Sequence, residues 1–281
     1  MWLVKYPLKS SLEVWSEKVA AELCGLLGLP HARYELASHA GQPCVISESM
    51  VKGHGEQLLV GNEMLGIPKD AATAARRKES KTLHTIANLK ASTSGTFTPA
   101  GWSAPNCITM GTHVFIGYLM FDTWICNVDR HEQNWGIIAH FKFKSIAEVD
   151  SMDGSPLLSM SLSLAPSFDH ASSLGREFDD ERKKTMLSEN MLVAYVNRAQ
   201  SKIYDGLDPP KRLKLIDAFQ ALANDFPGVA NFWLDKLELV TPDDLSQVFS
   251  KIPPAHGGPI SVEFAQKMLE LTRERLLRCR K

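Results

Sequence analysis

The apolar segment from Cys107 to Cys126 places the strongest constraint on how this chain can fold. It is long enough to cross a bilayer, but it contains His113 and Asp122, and a carboxylate inside hydrocarbon is costly. We therefore predict a buried core helix over about residues 111–125 and no membrane span. With no recognisable signal sequence at the N-terminus, the expected location is the cytoplasm.

The composition is that of a globular protein, and the length is sufficient for two domains or lobes. The chain has 281 residues, 31 Lys and Arg against 32 Asp and Glu, and 44% apolar residues. Its net charge of -1 offers no general attraction to nucleic acid, so we expect no direct nucleic-acid binding. The five cysteines are odd in number and contain no CxxC pair, which argues against a disulfide framework or a zinc site.

The first fifty residues predict a small unit with the order strand, helix, strand, strand. Alternating side chains predict a strand over residues 2–6, and apolar residues three and four apart predict a helix from Leu12 to Leu29. A hairpin is expected over residues 32–51, with its turn at Gly41. One side of the helix carries small residues and Glu17, so we expect Glu17 to face a partner inside the protein.

The chain after Met50 is predicted to be mainly helical, with a loop-rich start. Helices are expected over about residues 177–204, 208–226 and 261–280. Thr241, followed by proline and two acidic residues, predicts the start of another helix. These patterns divide the chain into an N-terminal unit, residues 1–50, and a larger unit, residues 51–281.

The segment Cys126–Gly136, CNVDRHEQNWG, carries the clearest chemical pattern in the chain. It is predicted to be a polar loop between the buried helix and a strand. Asp129 and Asn134 stand five positions apart in it, which suits phosphoryl transfer. In that chemistry a carboxylate orients and deprotonates a hydroxyl nucleophile, and an amide oxygen binds a magnesium ion.

Two further elements fit the same chemistry. Asp169 ends an apolar run in LAPSFDHASSLG and could bring a second acidic group to the metal. The Ser- and Met-rich stretch before it is expected to be an insertion between two strands. Lys5 on the first strand and Glu17 on the next helix match the lysine–glutamate pair that orients nucleotide phosphates in kinases.

These motifs together resemble those of the HipA-like protein kinases, in particular the HipA-like C-terminal domain family. The resemblance is seen in the segments NVDRHEQNWG, LAPSFDHASSLG and EVWSEKVAAELCGLLGLPHARYELA, and it covers about residues 1 to 180. It implies an α+β, bilobal protein-kinase-like fold with a small strand-and-helix N-lobe and a larger, mainly helical C-lobe. The Asp129–Asn134 loop is also similar to the DRHxxN loop of phosphatidylinositol kinases.

The resemblance implies ATP- and Mg²⁺-dependent transfer of a phosphoryl group to a Ser or Thr hydroxyl of a protein. By it, Asp129 would be the catalytic base, and Asn134 and Asp169 would be the magnesium ligands. His131 would support the loop or the transferring phosphate. Some members of the family pair with an antitoxin, so a regulatory partner is a further possibility.

The nucleotide-binding residues implied by the resemblance lie in the first fifty positions. Lys5 would contact the phosphates with Glu17 as its ion-pair partner, and the adenine hinge would lie near Ser47, Glu48 and Met50. Family members carry a phosphate-covering loop before the lysine strand. This sequence has four residues before Lys5, so we expect that loop to be absent.

Three alternatives to a protein kinase remain open from the sequence. One is a kinase-like module that binds a partner or nucleotide without turnover, which the expected absence of the phosphate loop suggests. Another is a lipid kinase, suggested by the DRHxxN similarity. The third is a metal-dependent phosphohydrolase using Asp129, His131, Asp169 and His170, although no HxH or HExxH motif occurs.

Overall fold

The computed structural model describes residues 1–7, 12–68, 73–143, 158–253 and 256–281, and over these the chain has a mixed α/β fold. The strands are β1 (Trp2–Lys5), β2 (Tyr34–His39), β3 (Gln42–Glu48), β4 (Glu56–Val60), β5 (Gly136–Phe143), β6 (Leu158–Leu164), β7 (Gln200–Tyr204) and β8 (Arg212–Lys214). The helices are α1 (Leu12–Leu27), α2 (Gly61–Met64), α3 (Thr73–Leu83), α4 (Ile86–Ser94), α5 (Gly111–Trp124), α6 (Asp180–Ser188), α7 (Leu192–Arg198), α8 (Leu215–Ala223), α9 (Pro227–Glu238), α10 (Pro242–Ser250) and α11 (Pro259–Leu277).

The N-terminal unit has the predicted order of strand, helix, strand, strand. Its antiparallel sheet has the strand order β1-β3-β2, and α1 packs against β2 and β3. The helix ends at Leu27 and not at Leu29, because Gly28 adopts a φ of +65° and its N–H bonds to the carbonyl of Gly25. Because β1 is an edge strand that pairs with the central strand β3, its last residue, Lys5, lies at the edge of the sheet.

The buried helix is confirmed as α5, and every residue from Gly111 to Trp124 is buried. Helices α4, α8, α9 and α11 pack around it. The main apolar core joins these helices to the inner face of α1, where Trp15 and Val19 are fully buried. None of the helices in the described part of the chain is long and apolar enough to cross a membrane.

The segment that follows the N-terminal unit contains more regular structure than the sequence predicts. Strand β4 and the short helix α2 lie in the region predicted to be loop-rich, and β4 forms an antiparallel sheet of order β4-β5-β6. The predicted insertion between two strands falls between β5 and β6, and residues 144–157 lie outside the described part of the chain. All five cysteines are free.

The helix predicted over residues 177–204 is wrong in its extent. The chain instead forms α6 and α7, which are separated at Asn190 by a left-handed φ of 53°, and then strand β7. Strand β7 obtains its hydrogen bonds from β8, a pairing partner that local periodicity cannot reveal. The helical prediction therefore extended through a turn and a strand.

The helix predicted over residues 208–226 is also wrong at its start. Pro209 and Pro210 have no N–H to donate, and the chain forms β8 before α8 begins at Leu215. The helix start at Thr241 is confirmed, since its side chain accepts a hydrogen bond from Asp244 N in a capping box. The last helix is confirmed with shifted ends, because Pro259 occupies its first turn.

Candidate active site

Lys5, Glu17 and Asp169 meet at one point, although they come from three distant parts of the sequence. Lys5 Nζ lies 2.6 Å from Glu17 Oε1 and 2.5 Å from Asp169 Oδ1. Lys5 comes from β1, Glu17 from the middle of α1, and Asp169 from the segment after β6. The prediction that Glu17 faces a partner inside the protein is confirmed.

Glu17 is fully buried and uses both carboxylate oxygens. Its Oε2 accepts a hydrogen bond of 2.8 Å from the backbone N–H of His170, next to Asp169. Burial raises the pKa of Glu17 to about 7, against the opposing effect of the Lys5 charge. Burial also acts to lower the pKa of Lys5, but the carboxylates of Glu17 and Asp169 outweigh it and raise that pKa.

The backbone at Asp169 adopts an uncommon conformation. Its φ is 57°, in the left-handed region that Asp tolerates better than most residues. The surrounding structure holds this conformation, since Asp169 N donates to the Tyr34 hydroxyl at 3.1 Å. Just before it, Ser167 exchanges backbone hydrogen bonds with Pro30 and Ala32. Such over-determined local strain is characteristic of functional sites.

The loop between α5 and β5 holds Asp129 and Asn134 in fixed relation to each other. Asn134 Nδ2 donates to the backbone oxygen of Asp129 at 2.8 Å, and Asp129 N donates to Asn127 Oδ1 at 3.2 Å. The Asp129 side chain stays 35% exposed, with Lys202 Nζ at 3.6 Å and Ser172 Oγ at 3.4 Å. Asp129 is therefore both anchored by its backbone and accessible through its carboxylate.

Arg130 connects this loop to the Asp169 segment. Its guanidinium is buried and donates to the carbonyl oxygen of Asn134 at 2.7 Å, to Ser167 Oγ at 3.0 Å and to the carbonyl of Phe168 at 3.4 Å. It also pairs with Asp122 of α5 at 2.7 Å. A single side chain thus fixes the spacing between the two segments that carry the candidate metal ligands.

A second set of contacts links α1 to Asp129. Arg176 forms an ion pair of 2.7 Å with Glu13 of α1 and donates to Ser172 Oγ at 2.8 Å. Ser172 in turn contacts Asp129, and Ser16 of α1 donates to the carbonyl oxygen of Ser173. The polar face of α1 is therefore covered by the segment that follows Asp169.

The remaining predicted site residues have local roles in the structure. His131 Nδ1 accepts a hydrogen bond from Gln133 N at 3.1 Å, within the loop. Ser47 and Glu48 lie on β3 opposite Leu3 and Trp2 of β1. Among the described residues, no hydrogen bond or ion pair joins their side chains to Lys5 or Asp169.

Met50, the third predicted hinge residue, packs with Phe168 against a small apolar cluster beside the site. The cluster contains Val14, Tyr34 and Val45, which come from α1, β2 and β3. Met50 and Phe168, the residue that precedes Asp169, thus pack against the same cluster. The adenine-binding role of Ser47, Glu48 and Met50 stays a prediction.

Sequence reasoning did not identify several residues that shape this site. Arg130 could have been found, because a buried acidic residue such as Asp122 requires a cationic partner and Arg130 follows eight positions later. Lys202 and Arg176 carried no such signal. Lys202 comes from β7 and reaches Asp129 only in the folded structure, and Arg176 contacts Ser172, which in turn contacts Asp129.

Asn134 and Asp169 have the chemistry of magnesium ligands. Mg²⁺ prefers oxygen ligands and usually takes one or two from protein, with phosphates and water supplying the others. The Asp169 carboxylate is partly exposed, and Asn134 Oδ1 accepts no hydrogen bond from any described residue. Over the described residues, no group of three or more His, Cys, Asp or Glu side chains could hold a metal ion.

His170, a residue of the alternative phosphohydrolase site, is held in a buried hydrogen-bond network. Its Nε2 lies 2.7 Å from Ser167 Oγ and 3.3 Å from the Arg130 guanidinium. Burial, together with the positive charge of Arg130, lowers the pKa of His170 well below its ordinary value. The ring therefore acts as a neutral structural group beneath Asp169.

Solved structures that resemble the chain over 99% of its length include CtkA and HipA. A proinflammatory kinase of Helicobacter pylori, CtkA, superimposes with a TM-score of 0.62 at 20% sequence identity, over 90% of its own chain. HipA, from a complex of Shewanella oneidensis MR-1 HipA, HipB and operator DNA, superimposes with a TM-score of 0.53 at 12% identity. The match covers 58% of the HipA chain. Comparison with protein-family models and with curated protein sequences finds no match. The chain therefore has a mixed α/β fold similar to those of CtkA and HipA.

Proposed function

We propose that this chain is an ATP- and Mg²⁺-dependent kinase that phosphorylates a Ser or Thr hydroxyl of a protein. The observation that carries the proposal is the convergence of Lys5, Glu17 and Asp169, with Lys5 Nζ within 2.6 Å of both carboxylates. Arg130 connects this cluster to the loop of Asp129 and Asn134. The similarity of the fold to CtkA, a kinase, and to HipA supports a kinase activity.

The proposed arrangement has two lobes, with the nucleotide between them. Residues 1–50 form the small lobe, and residues 51–281 form the larger one. Lys5, positioned by Glu17, contacts the nucleotide phosphates. Asn134 and Asp169 would hold the magnesium ion, which would supply positive charge to stabilise the nucleotide phosphates. The adenine ring contacts the end of β3 near Ser47, Glu48 and Met50.

The proposed reaction uses Asp129 as the base. Its carboxylate accepts the hydrogen bond of the acceptor hydroxyl and directs the oxygen at the γ-phosphorus. The new O–P bond forms as the bond between the γ-phosphorus and the bridging oxygen of ADP breaks, and Asp129 takes the hydroxyl proton. Lys202, 3.6 Å from Asp129, adds positive charge beside the reacting groups. Positioning and charge stabilisation supply most of the acceleration.

A regulatory protein partner and a cytoplasmic location belong to the same proposal. The HipA structure is a complex with HipB, and a similar fold could present a similar surface to a partner. Co-purification of the tagged chain with the product of an adjacent gene would support the partner. Purification of the chain alone under the same conditions would argue against it.

The test is transfer of radiolabelled phosphate from ATP in the presence of Mg²⁺. The wild-type chain is expected to label itself or a protein substrate, and Asp129→Asn and Asp169→Asn are expected to lose at least a hundredfold in rate. Asp243→Asn, an exposed acidic residue in the first turn of α10, is the matched control. Circular dichroism and the unfolding midpoint would establish that each variant folds.

Three results would contradict the proposal. Retained labelling in Asp129→Asn would show that another group acts as the base. Binding of Mg-ATP without any turnover by the wild-type chain would favour a nucleotide-binding module. Labelling of phosphatidylinositol vesicles and not of protein would identify a lipid kinase.

A further inference from the structure

A basic cavity lies beside the candidate catalytic loop, separate from the cluster of Lys5, Glu17 and Asp169. It has a volume of about 260 Å³ and opens between α3, the Asp129 loop and the β7–β8 hairpin. Its basic side chains are Arg77 and Lys81 of α3, Lys202 of β7 and Arg212 of β8. His131 also lines it, and Glu132 is its acidic residue.

The cavity adjoins the position where an acceptor hydroxyl would react. Lys202 lines the cavity and also lies 3.6 Å from the Asp129 carboxylate, so one side chain belongs to both places. His131 lines the cavity two residues after Asp129. A polypeptide that presents a hydroxyl to Asp129 would therefore pass the mouth of this cavity.

Positive charge in the cavity exceeds the negative charge that the protein supplies there. Among the described residues, Arg77 and Lys81 form no ion pair, and the guanidinium of Arg212 donates to the neutral Tyr204 hydroxyl at 3.3 Å. Glu132 is buried and accepts a hydrogen bond of 2.9 Å from Ser80. An anionic group from outside would compensate the remaining charge.

The size of the cavity favours a side chain over a whole nucleotide. Sites for complete small molecules usually enclose roughly 300–1,000 Å³. The nucleotide phosphates also have their own candidate contacts at Lys5 and Asp169. A carboxylate or phosphoryl group on a polypeptide would fit both the volume and the charge.

We propose that this basic cavity binds an acidic side chain of the protein substrate, close in sequence to the acceptor Ser or Thr. The identity of the bound chain as a substrate rests on the proposed kinase function. The cavity would then select substrates whose acceptor is flanked by Glu, Asp or a phosphorylated residue. Charge complementarity of this kind determines specificity and the rate of encounter.

The first test measures peptide binding to the full chain by fluorescence polarisation, without nucleotide. One labelled peptide carries a central Ser flanked by Glu, a second carries Gln at the same positions, and a third carries phosphoserine. The Glu and phosphoserine peptides are expected to bind at least tenfold more tightly than the Gln peptide, with an affinity that falls as salt is added. Equal affinities would overturn the proposal.

The second test reverses charge inside and outside the cavity. Arg77→Glu and Lys81→Glu are expected to remove the preference for the acidic peptides. Arg182→Glu, an exposed residue of α6 that does not line the cavity, is the control and should keep it. Loss of the preference in the control alone, or equal loss in all three variants, would place the acidic site elsewhere.

Phosphorylation of the same peptides separates this inference from the proposed function. If the chain is a kinase, Arg77→Glu should lower kcat/KM for the Glu peptide about tenfold and leave that for the Gln peptide unchanged. If no peptide is phosphorylated but the binding preference and its loss persist, the cavity is supported and the kinase function is not. Tighter binding of a single-stranded RNA than of the Glu peptide, with loss of that RNA binding in the same variants, would overturn the assignment to an acidic peptide.

Discussion

Arg130 and Asp122 form a bidentate ion pair in which both nitrogen–oxygen distances are 2.7 Å. The two side chains are only 1% and 2% exposed, so the pair is removed from solvent and from its screening. Asp122 belongs to the buried helix α5, and Arg130 follows the candidate base Asp129 directly. The pair therefore joins the loop of Asp129 and Asn134 to the buried helix α5.

Asp122→Ala is expected to lower the free energy of unfolding by about 3–5 kcal/mol, because it leaves the buried Arg130 charge without its carboxylate. Urea denaturation followed by circular dichroism measures the loss. Asp225→Ala, which removes the half-exposed partner of Lys90, is the control and should cost under about 1 kcal/mol. Equal losses of unfolding free energy in the two variants would show that Asp122 does not hold the loop of Asp129 and Asn134 in place.

Lys5→Met is expected to weaken Mg-ATP binding by at least tenfold while the chain stays folded. The substitution removes the charge that would contact the nucleotide phosphates, and the Lys5 side chain is one-third exposed on an edge strand. Isothermal titration calorimetry measures the affinity. Lys18→Met is the matched control, since Lys18 pairs with Glu22 and Glu35 away from the site. Unchanged binding in Lys5→Met would remove Lys5 from the proposed site.

His84 is expected to make the fold sensitive to acid. It is fully buried between the carbonyl of Lys202, 3.0 Å from Nδ1, and Trp135 Nε1, which donates to Nε2 at 3.1 Å. Burial is the main cause that lowers the pKa of His84 to about 4. Nδ1 must therefore carry the single proton of a neutral ring, because Nε2 acts as an acceptor.

The sign of the pH effect follows from this lowered pKa. Between about pH 6.5 and 4 the unfolded chain binds a proton at His84 that the folded chain does not, so stability falls as the pH falls. The full effect is on the order of 3 kcal/mol. Urea denaturation of wild type and His84→Gln at several pH values gives the difference in unfolding free energy. That difference should shrink as the pH is lowered, and a constant difference would contradict the assignment.

The parts of the site that the sequence predicts are those encoded over short distances. Asp129 and Asn134 lie in one loop, and the structure confirms the helix before it and the strand after it. Glu17 could be predicted to face inward because the small residues around it allow another segment to cover that side of the helix. The structure brings Glu17 to Lys5 and Asp169, and their catalytic roles stay predictions.

What the sequence does not predict depends on pairing between distant segments. Lys202 reaches Asp129 only because β7 forms where the local pattern favoured a helix, and β7 exists through its bonds to β8. Strand formation depends on such neighbours more than on the intrinsic preference of its residues. Arg176 likewise reaches Glu13 of α1, 163 positions away, through tertiary folding, and no periodicity in the sequence encodes that contact.

Two helical glycines, Gly117 and Gly25, differ in how much space surrounds them. In α5 a Cβ at Gly117 would lie 2.7 Å from both Leu29 Cδ1 and Trp233 Cε2, whereas a Cβ at Gly25 of α1 would meet nothing within 4 Å. Gly117→Ala should therefore cost about 1–3 kcal/mol through overpacking. Gly25→Ala should gain about 0.5–1 kcal/mol, because alanine restricts the unfolded chain and favours the helix. Urea denaturation of both variants checks the pair. No loss at Gly117 would mean that Leu29 and Trp233 of α9 do not pack against α5 as described, and a loss at Gly25 would mean that the surroundings of Gly25 in α1 are not open.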